Sequence, residues 1–172
     1  MKDKILSAAL VLAFVGFSWA LYGQLHEVVV NAGDKAPSFS ITTDNGQTIT
    51  ARDFAGGKLL LLNFWATWCD TCVQEIPDLN QMARDLAPKG LVVLGVSVDQ
   101  NQQQYKDFLK RFPLAYLTAW DPTETINTEY GTIQYPESYL IDRDGKVVEK
   151  FISNQPWASP QMLADLSKRL GS

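Results

Sequence analysis

Leu59-Leu60-Leu61-Leu62-Asn63-Phe64-Trp65-Ala66-Thr67-Trp68-Cys69-Asp70-Thr71-Cys72 is the stretch that decides the fold. Leu59 to Trp65 is apolar, uncharged and of strand length. After it, Val73, Ile76, Leu79, Ala83 and Leu86 recur at spacings of three and four, which predicts an amphipathic helix from about Asp70 to Ala87. The two cysteines therefore fall where a buried strand ends and a helix begins. Unpaired N–H groups and the positive end of the helix dipole favour an anion at that place. A thiolate is an anion and is the reactive form of cysteine, so Cys69 is the expected nucleophile. Cys72, one helical turn on and more buried, is placed to attack a mixed disulfide at Cys69 and release the partner.

Other uses of a C-x-x-C pair are less well served by this chain. A zinc half-site needs two further ligands, and the sequence has no other cysteine and one histidine, His26. A purely structural bridge across two residues closes almost no loop and adds little entropy. A hydrolytic cysteine needs a general base such as histidine, and the segment that folds contains none. Dithiol–disulfide exchange is the chemistry the residues favour. The expected cofactor list is accordingly empty, apart from the redox-active disulfide Cys69–Cys72 itself, and no bound metal is expected.

Outward from this centre, Leu91 to Val98 is a second apolar strand, suited to the middle of a sheet. Joined to the first through a helix, it implies a right-handed parallel crossover. Gln102 to Phe112 carries Tyr105, Phe108, Leu109 and Phe112 on one helical face. Asp121-Pro122 opens a short helix that ends near Tyr130-Gly131. Ser138–Ile141 and Val147–Phe151 flank Asp142-Arg143-Asp144-Gly145, a hairpin signal. Ser159-Pro160 is an N-cap with proline at the first helical position and starts a terminal helix. Upstream, Phe39–Thr42 and Thr48–Thr50 bracket the turn residues Asp44-Asn45-Gly46-Gln47, and Ala51 to Phe54 reads as a helical turn. Pro77 lies inside the first helix and is expected to kink it. The pattern predicts an α/β domain with a central mixed β-sheet flanked by helices and preceded by a β-hairpin extension.

Residues 1–23 form an appendage. Lys2 and Lys4 precede Ile5 to Tyr22, a run without a charged residue. As a helix that run would span about 27 Å, close to a bilayer core. Trp19 and Tyr22 lie at its far end, where amphipathic rings suit the interface, and the lysines should remain cytoplasmic. An uncleaved N-terminal anchor is favoured over a cleaved signal peptide with Ser18-Trp19-Ala20 as a weak processing site. Either alternative exports the domain. Residues 24–35 read as a tether, with Val28-Val29-Val30 as a candidate first strand, and the domain proper as 36–172. The formal net charge of −4 argues against nucleic acid as a partner.

The segments Ala36-Pro37-x-Phe39, Asn63-Phe64-Trp65-Ala66-Thr67-Trp68-Cys69, Glu75-x-Pro77 and Pro136-Glu137-Ser138-Tyr139-Leu140-Ile141-Asp142 together resemble the thioredoxin superfamily. Within it they resemble the membrane-anchored TlpA/ResA/CcmG (DsbE) group of bacterial extracytoplasmic thiol–disulfide oxidoreductases. The resemblance implies a thioredoxin-like fold. It also implies that Tyr135-Pro136 is a cis peptide facing Cys69, with the backbone of Tyr135 pairing with the substrate chain. Glu75, one turn past Cys72 on the same helix face, matches a glutamate that the group carries near its thiols. A partly desolvated carboxylate there would have a raised pKa and could exchange a proton with Cys72. With Asp70 it would oppose acidification of Cys69, as suits a reductant. Trp68 is expected to pack beside the disulfide and shape the contact surface, and Glu137 to join the substrate-facing set. The Pro136–Asp142 string looks most like the CcmG branch, which serves cytochrome c maturation.

The resemblance thus implies a protein-disulfide reductase of the periplasm or cell exterior, held at the cytoplasmic membrane by a single N-terminal helix. Its clients would be disulfide-bearing proteins such as apocytochrome c or a copper-site assembly factor. Its electrons would come from a membrane carrier of the CcdA/DsbD type. Two alternatives accompany this expectation. One is an oxidant that introduces disulfides. The other is a non-enzymatic, thiol-based binder of copper or of a haem-maturation client, for which Met/His-rich clusters are lacking.

Overall fold

Asn63 is the one polar residue of strand β3 (Leu59–Trp65), and all seven residues of that strand are buried. A strand covered on both faces must lie inside a sheet with layers above and below. The computed structural model, which describes residues 11–19, 29–54 and 59–171, gives that arrangement. The other strands are β1 (Ser40–Thr42), β2 (Thr48–Thr50), β4 (Leu91–Ser97), β5 (Leu117–Trp120), β6 (Glu137–Ile141) and β7 (Val147–Ile152). The helices are α1 (Asp70–Leu86), α2 (Gln102–Arg111), α3 (Thr125–Tyr130) and α4 (Pro160–Leu170). The main sheet has the order β5-β4-β3-β6-β7, and β1 pairs with β2 in a separate hairpin. β3 runs parallel to β4 and antiparallel to β6, so the sheet is mixed, with the expected crossover through α1.

Alternation along β3 divides the core. Leu60, Leu62 and Phe64 point to the side that holds Phe39, Ile49, Ile126, Tyr130 and Tyr139. Leu59 and Leu61 pack instead with Leu79, Met82 and Leu86 of α1 and Leu166 of α4. Trp65 ends the strand among Cys69, Cys72, Ile76, Tyr105 and Phe108. Gly95, beside it on β4, leaves the space that the indole fills: a Cβ there would lie 3.0 Å from Trp65 Nε1 and 3.1 Å from the Tyr116 ring.

The hairpins follow their turn chemistry. Asp142 Oδ1 accepts from the backbone N–H groups of Asp144 and Lys146, each at 2.9 Å. Gly145 takes φ 76°, a left-handed value that a side chain would strain. Pro77 lies within α1 as expected.

The structure departs from the sequence expectations at β5 and at the candidate strand Val28–Val30, and part of the expected N-terminal segment lies outside the described residues. β5 has no counterpart in them, because a four-residue edge strand between two loops carries no period long enough to read. Val29 and Val30 form no strand, and Val28 lies outside the described residues. Val30 is nevertheless a core residue, 4% exposed, and its N–H donates to the Tyr130 carbonyl at 3.2 Å. Its apolar side chain makes part of the expected tether belong to the packed domain. Residues 11–19 are helical, while the rest of the expected 1–23 segment lies outside the described residues. Among the described residues no helix is long and apolar enough to cross a membrane.

Candidate active site

Cys69 is the N-cap of α1, with extended backbone and with its sulfur accepting the Cys72 N–H at 3.2 Å. The capping position that serine or aspartate usually fills is thus held by the reactive sulfur. The Thr71 hydroxyl lies 3.5 Å from the same sulfur. Cys69 and Cys72 are joined as a disulfide. Cys69 is 8% exposed and Cys72 1%, so an incoming sulfur reaches Cys69 first. On reduction, the Cys72 N–H and the helix dipole stabilise a thiolate at Cys69 and give Cys72 no comparable donor. Asp70, between them, is exposed.

The turn that carries Cys69 is tied down from β4. Asp99, 1% exposed, accepts from the Thr67 N–H at 3.0 and 3.2 Å and from the Thr67 hydroxyl at 2.7 Å. The Ser97 hydroxyl donates to the same carboxylate at 2.7 Å, and the Trp120 indole N–H donates to the Asp99 carbonyl. The clamp converts the strand end into a fixed platform two residues before Cys69. Nothing local marks Asp99 in the sequence, because its partner lies 32 residues away.

Glu75 shares the buried face of α1 with Cys72, Ile76 and Leu79. It is 2% exposed. Its carboxylate accepts from Asn63 Nδ2 at 3.0 Å and from the Trp157 indole N–H at 2.9 Å. Asn63 Nδ2 also donates to the Ser138 hydroxyl at 2.9 Å, linking the carboxylate to β6. Burial pushes Glu75 up to about 7 from its usual 4.5, against the lowering effect of the Trp157 and Asn63 donors. A carboxylate held by neutral donors in a desolvated place is poised to gain or lose a proton near neutral pH. Asn63, Ser138 and Trp157 are not marked as site residues by motif reading. The readable signal is Asn63 itself: an amide inside a strand buried on both faces must find partners.

The Tyr135–Pro136 bond is cis. Pro136 is buried, and the Tyr135 ring packs against the cluster containing Cys69 and Cys72. Trp68 is 58% exposed and meets the Tyr135 ring edge to face at 5.8 Å. Trp68 and Tyr135 therefore form an aromatic rim beside the disulfide.

Glu137 corrects an expectation. Its carboxylate does not join the rim. It is 3% exposed, on the sheet face away from α1, and pairs with Lys150 Nζ at 3.0 Å. Thr132 Oγ1 donates to it at 3.0 Å and Tyr139 OH donates a short hydrogen bond. Strand alternation is the reason: Glu137 opposes Phe64, whereas Ser138 opposes Asn63 on the side of the helix. Among the described residues there is no group of three or more His, Cys, Asp or Glu side chains suited to holding a metal ion.

Comparison with known proteins agrees with this geometry. Residues 32–150 match the model of the AhpC/TSA family. The chain is 33% identical to the thiol-disulfide oxidoreductase ResA of Bacillus thuringiensis subsp. konkukian, over 90% of this chain and 91% of that protein. It is 32% identical to the thioredoxin-like protein YneN of Bacillus subtilis, over 96% and 99% respectively. The crystal structure of a thiol:disulfide interchange protein assigned as DsbE from Chlorobium tepidum superposes with a TM-score of 0.75 at 32% identity, covering 84% of this chain and all of that one. With a reactive cysteine capping the helix and its partner one turn behind, the chain belongs to the thioredoxin-like AhpC/TSA family and is a thiol-disulfide oxidoreductase of the ResA/DsbE type.

Proposed function

We propose that this enzyme works as a reductant of client disulfides outside the cytoplasm, in the assembly of c-type cytochromes or of metal sites. The observation that carries this reading is the buried Glu75 on the helix face of Cys72. A negative charge there opposes thiolate formation, and a dithiol whose thiolate is poorly stabilised gives up its electrons more readily. In one cycle the Cys69 thiolate attacks a client disulfide, forming a mixed disulfide and releasing one client thiolate. Glu75, once protonated, is the acid within the buried face, and as its anion it takes the proton of Cys72. The Cys72 thiolate then attacks the Cys69 sulfur, releases the second client thiolate and closes the Cys69–Cys72 disulfide. Two electrons pass to the client, and a membrane carrier of the CcdA/DsbD type returns them.

Trp68, Tyr135 and Pro136 supply the client-facing rim in this reading, with the Tyr135 backbone pairing to the extended client chain. Membrane tethering is supported by Val11, Leu12, Phe14, Val15, Phe17 and Trp19, all exposed on the helical stretch 11–19. A helix apolar on every side needs an apolar medium. Lys2 and Lys4 support an N-terminus in the cytoplasm with the domain outside.

Equilibrium titration of the reduction potential tests the direction of electron flow. A potential near about −250 mV or lower is expected, beside thioredoxin at roughly −270 mV. A value near about −120 mV, that of DsbA-like oxidants, would overturn the reductant role.

A further inference from the structure

Helix α3 and the loop that leads to the cis peptide enclose a cavity of about 480 Å³ that the exchange chemistry does not use. Its walls include Glu124, Asn127, Gly131, Thr132, Ile133 and Tyr135. Tyr135 is the shared wall, since its ring also packs on the disulfide cluster and on Trp68. The cavity thus opens beside the place where a client chain would lie.

The polar atoms of these walls are unevenly matched. Asn127 is 4% exposed. Its Nδ2 donates to the Thr132 carbonyl at 3.0 Å, while its Oδ1, fully buried, has no hydrogen-bond partner among the described residues. A buried acceptor left unpaired costs about 1–3 kcal/mol. Glu124 brings a carboxylate, whose oxygens meet the Gln100 amide at 3.2 Å and the Tyr135 hydroxyl at 3.5 Å. Glu124 holds this place with φ 54°, a left-handed conformation that is costly for a residue with a side chain. Among the described residues no lysine, arginine or histidine lines the cavity. Ile133, 77% exposed, and the Tyr135 ring offer apolar surface at the mouth.

One negative charge, no cation in the walls and an apolar mouth match a long side chain with an alkyl stem and a cationic, hydrogen-donating head. We propose that this cavity is a client subsite that takes a lysine or arginine flanking the client cysteine. It rests on the thiol–disulfide exchange reading and adds to it the class of client sequence preferred. The basic head donates to the Glu124 carboxylate. The stem lies along Ile133 and Tyr135, and the client cysteine reaches Cys69.

The test uses the reduced full-length protein and disulfide-bonded peptides that differ only in the residue flanking the cysteine: arginine, lysine, norleucine or glutamate. The kcat/KM for arginine and lysine peptides is expected to exceed that for the glutamate peptide by about tenfold or more, the scale of one charge-assisted hydrogen bond. Glu124→Arg is expected to reverse the order, and Glu124→Gln to shrink the ratio. Circular dichroism and the ratio itself, rather than the absolute rate, guard against misfolded variants. Equal rates for all four peptides would overturn the subsite while leaving the exchange chemistry intact. A preference that survives Glu124→Arg would also overturn it, since the selecting charge would then lie elsewhere. Failure to reduce any peptide would instead strike the exchange reading on which the subsite depends.

Discussion

Two glutamates are buried against the central sheet, one on each face, and they are held in different ways. Glu75 is surrounded by neutral donors, the amide of Asn63 and the indole of Trp157. Glu137 is met by a cation, Lys150, with hydroxyl groups from Thr132 and Tyr139 completing its shell. The Lys150 ammonium also lies 5.1 Å from the centre of the Tyr139 ring. Neutral donors lower the cost of a buried charge without fixing it, so the carboxylate keeps a choice between protonated and ionised forms. The Lys150 ammonium, largely covered, instead makes the Glu137 carboxylate a structural tie between β6 and β7. Burial of an acid alone does not say whether it serves chemistry or architecture; the charge of its partners does.

The comparison can be broken most forcefully at the ion pair. Lys150→Met strands the Glu137 carboxylate in the core and is expected to cost about 3–5 kcal/mol in urea unfolding at neutral pH. A loss below about 1 kcal/mol would mean that the pair is solvated in the protein. The second prediction concerns pH. The folded state of Glu75 keeps its proton up to about 7, whereas the unfolded chain releases it near 4.5. The folded protein therefore binds more protons over that interval, and its stability falls as pH rises through it. The loss amounts to at most about 3 kcal/mol at 1.36 kcal/mol per pH unit and levels off above pH 7. Glu75→Gln should flatten this slope, and a slope that persists in that variant would assign it to another group.

Smaller effects sharpen the contrast. Trp157→Phe removes one donor from Glu75 while keeping an aromatic ring against Phe151, whose centroid lies 5.0 Å from the indole. The carboxylate should then titrate above 7, and the variant should lose about 1–2 kcal/mol more stability at pH 8 than at pH 5. An equal loss at both pH values would indicate packing alone. Thr132→Val removes one hydroxyl from Glu137, which retains its cation, and about 1 kcal/mol is expected at either pH. A loss as large as that expected for Lys150→Met would mean that the hydroxyl, and not the cation, holds the carboxylate, and the distinction between the two faces would fail.

Some of this was legible along the chain and some was not. The strand from Leu59, the helix after Cys69, the β6–β7 hairpin and the capped terminal helix rest on spacings of a few residues, and the structure places them within a residue or two of expectation. The edge strand Leu117–Trp120 was not legible, because four residues without clear alternation look like a loop. Glu137 was misplaced for a related reason. The string Pro136–Asp142 marks where the strand begins, but only its register against β3 decides which side chains face the helix. Trp157 stood in the sequence as one aromatic among many, since its partner Glu75 lies 82 residues away.

The sequence by itself determined the placing of Cys69 at the helix start, of Cys72 one turn on, and of the helix end beside them. All three depend on atoms within one helical turn, where backbone geometry leaves few alternatives. Only the tertiary structure decided which buried acid meets neutral donors and which meets a cation. It also decided that Asp99 would anchor the turn before Cys69, and that Asn127 would keep an unpaired oxygen beside the rim. Those contacts join residues from different strands and loops, and the free energy of a buried charge depends on every group the fold brings around it.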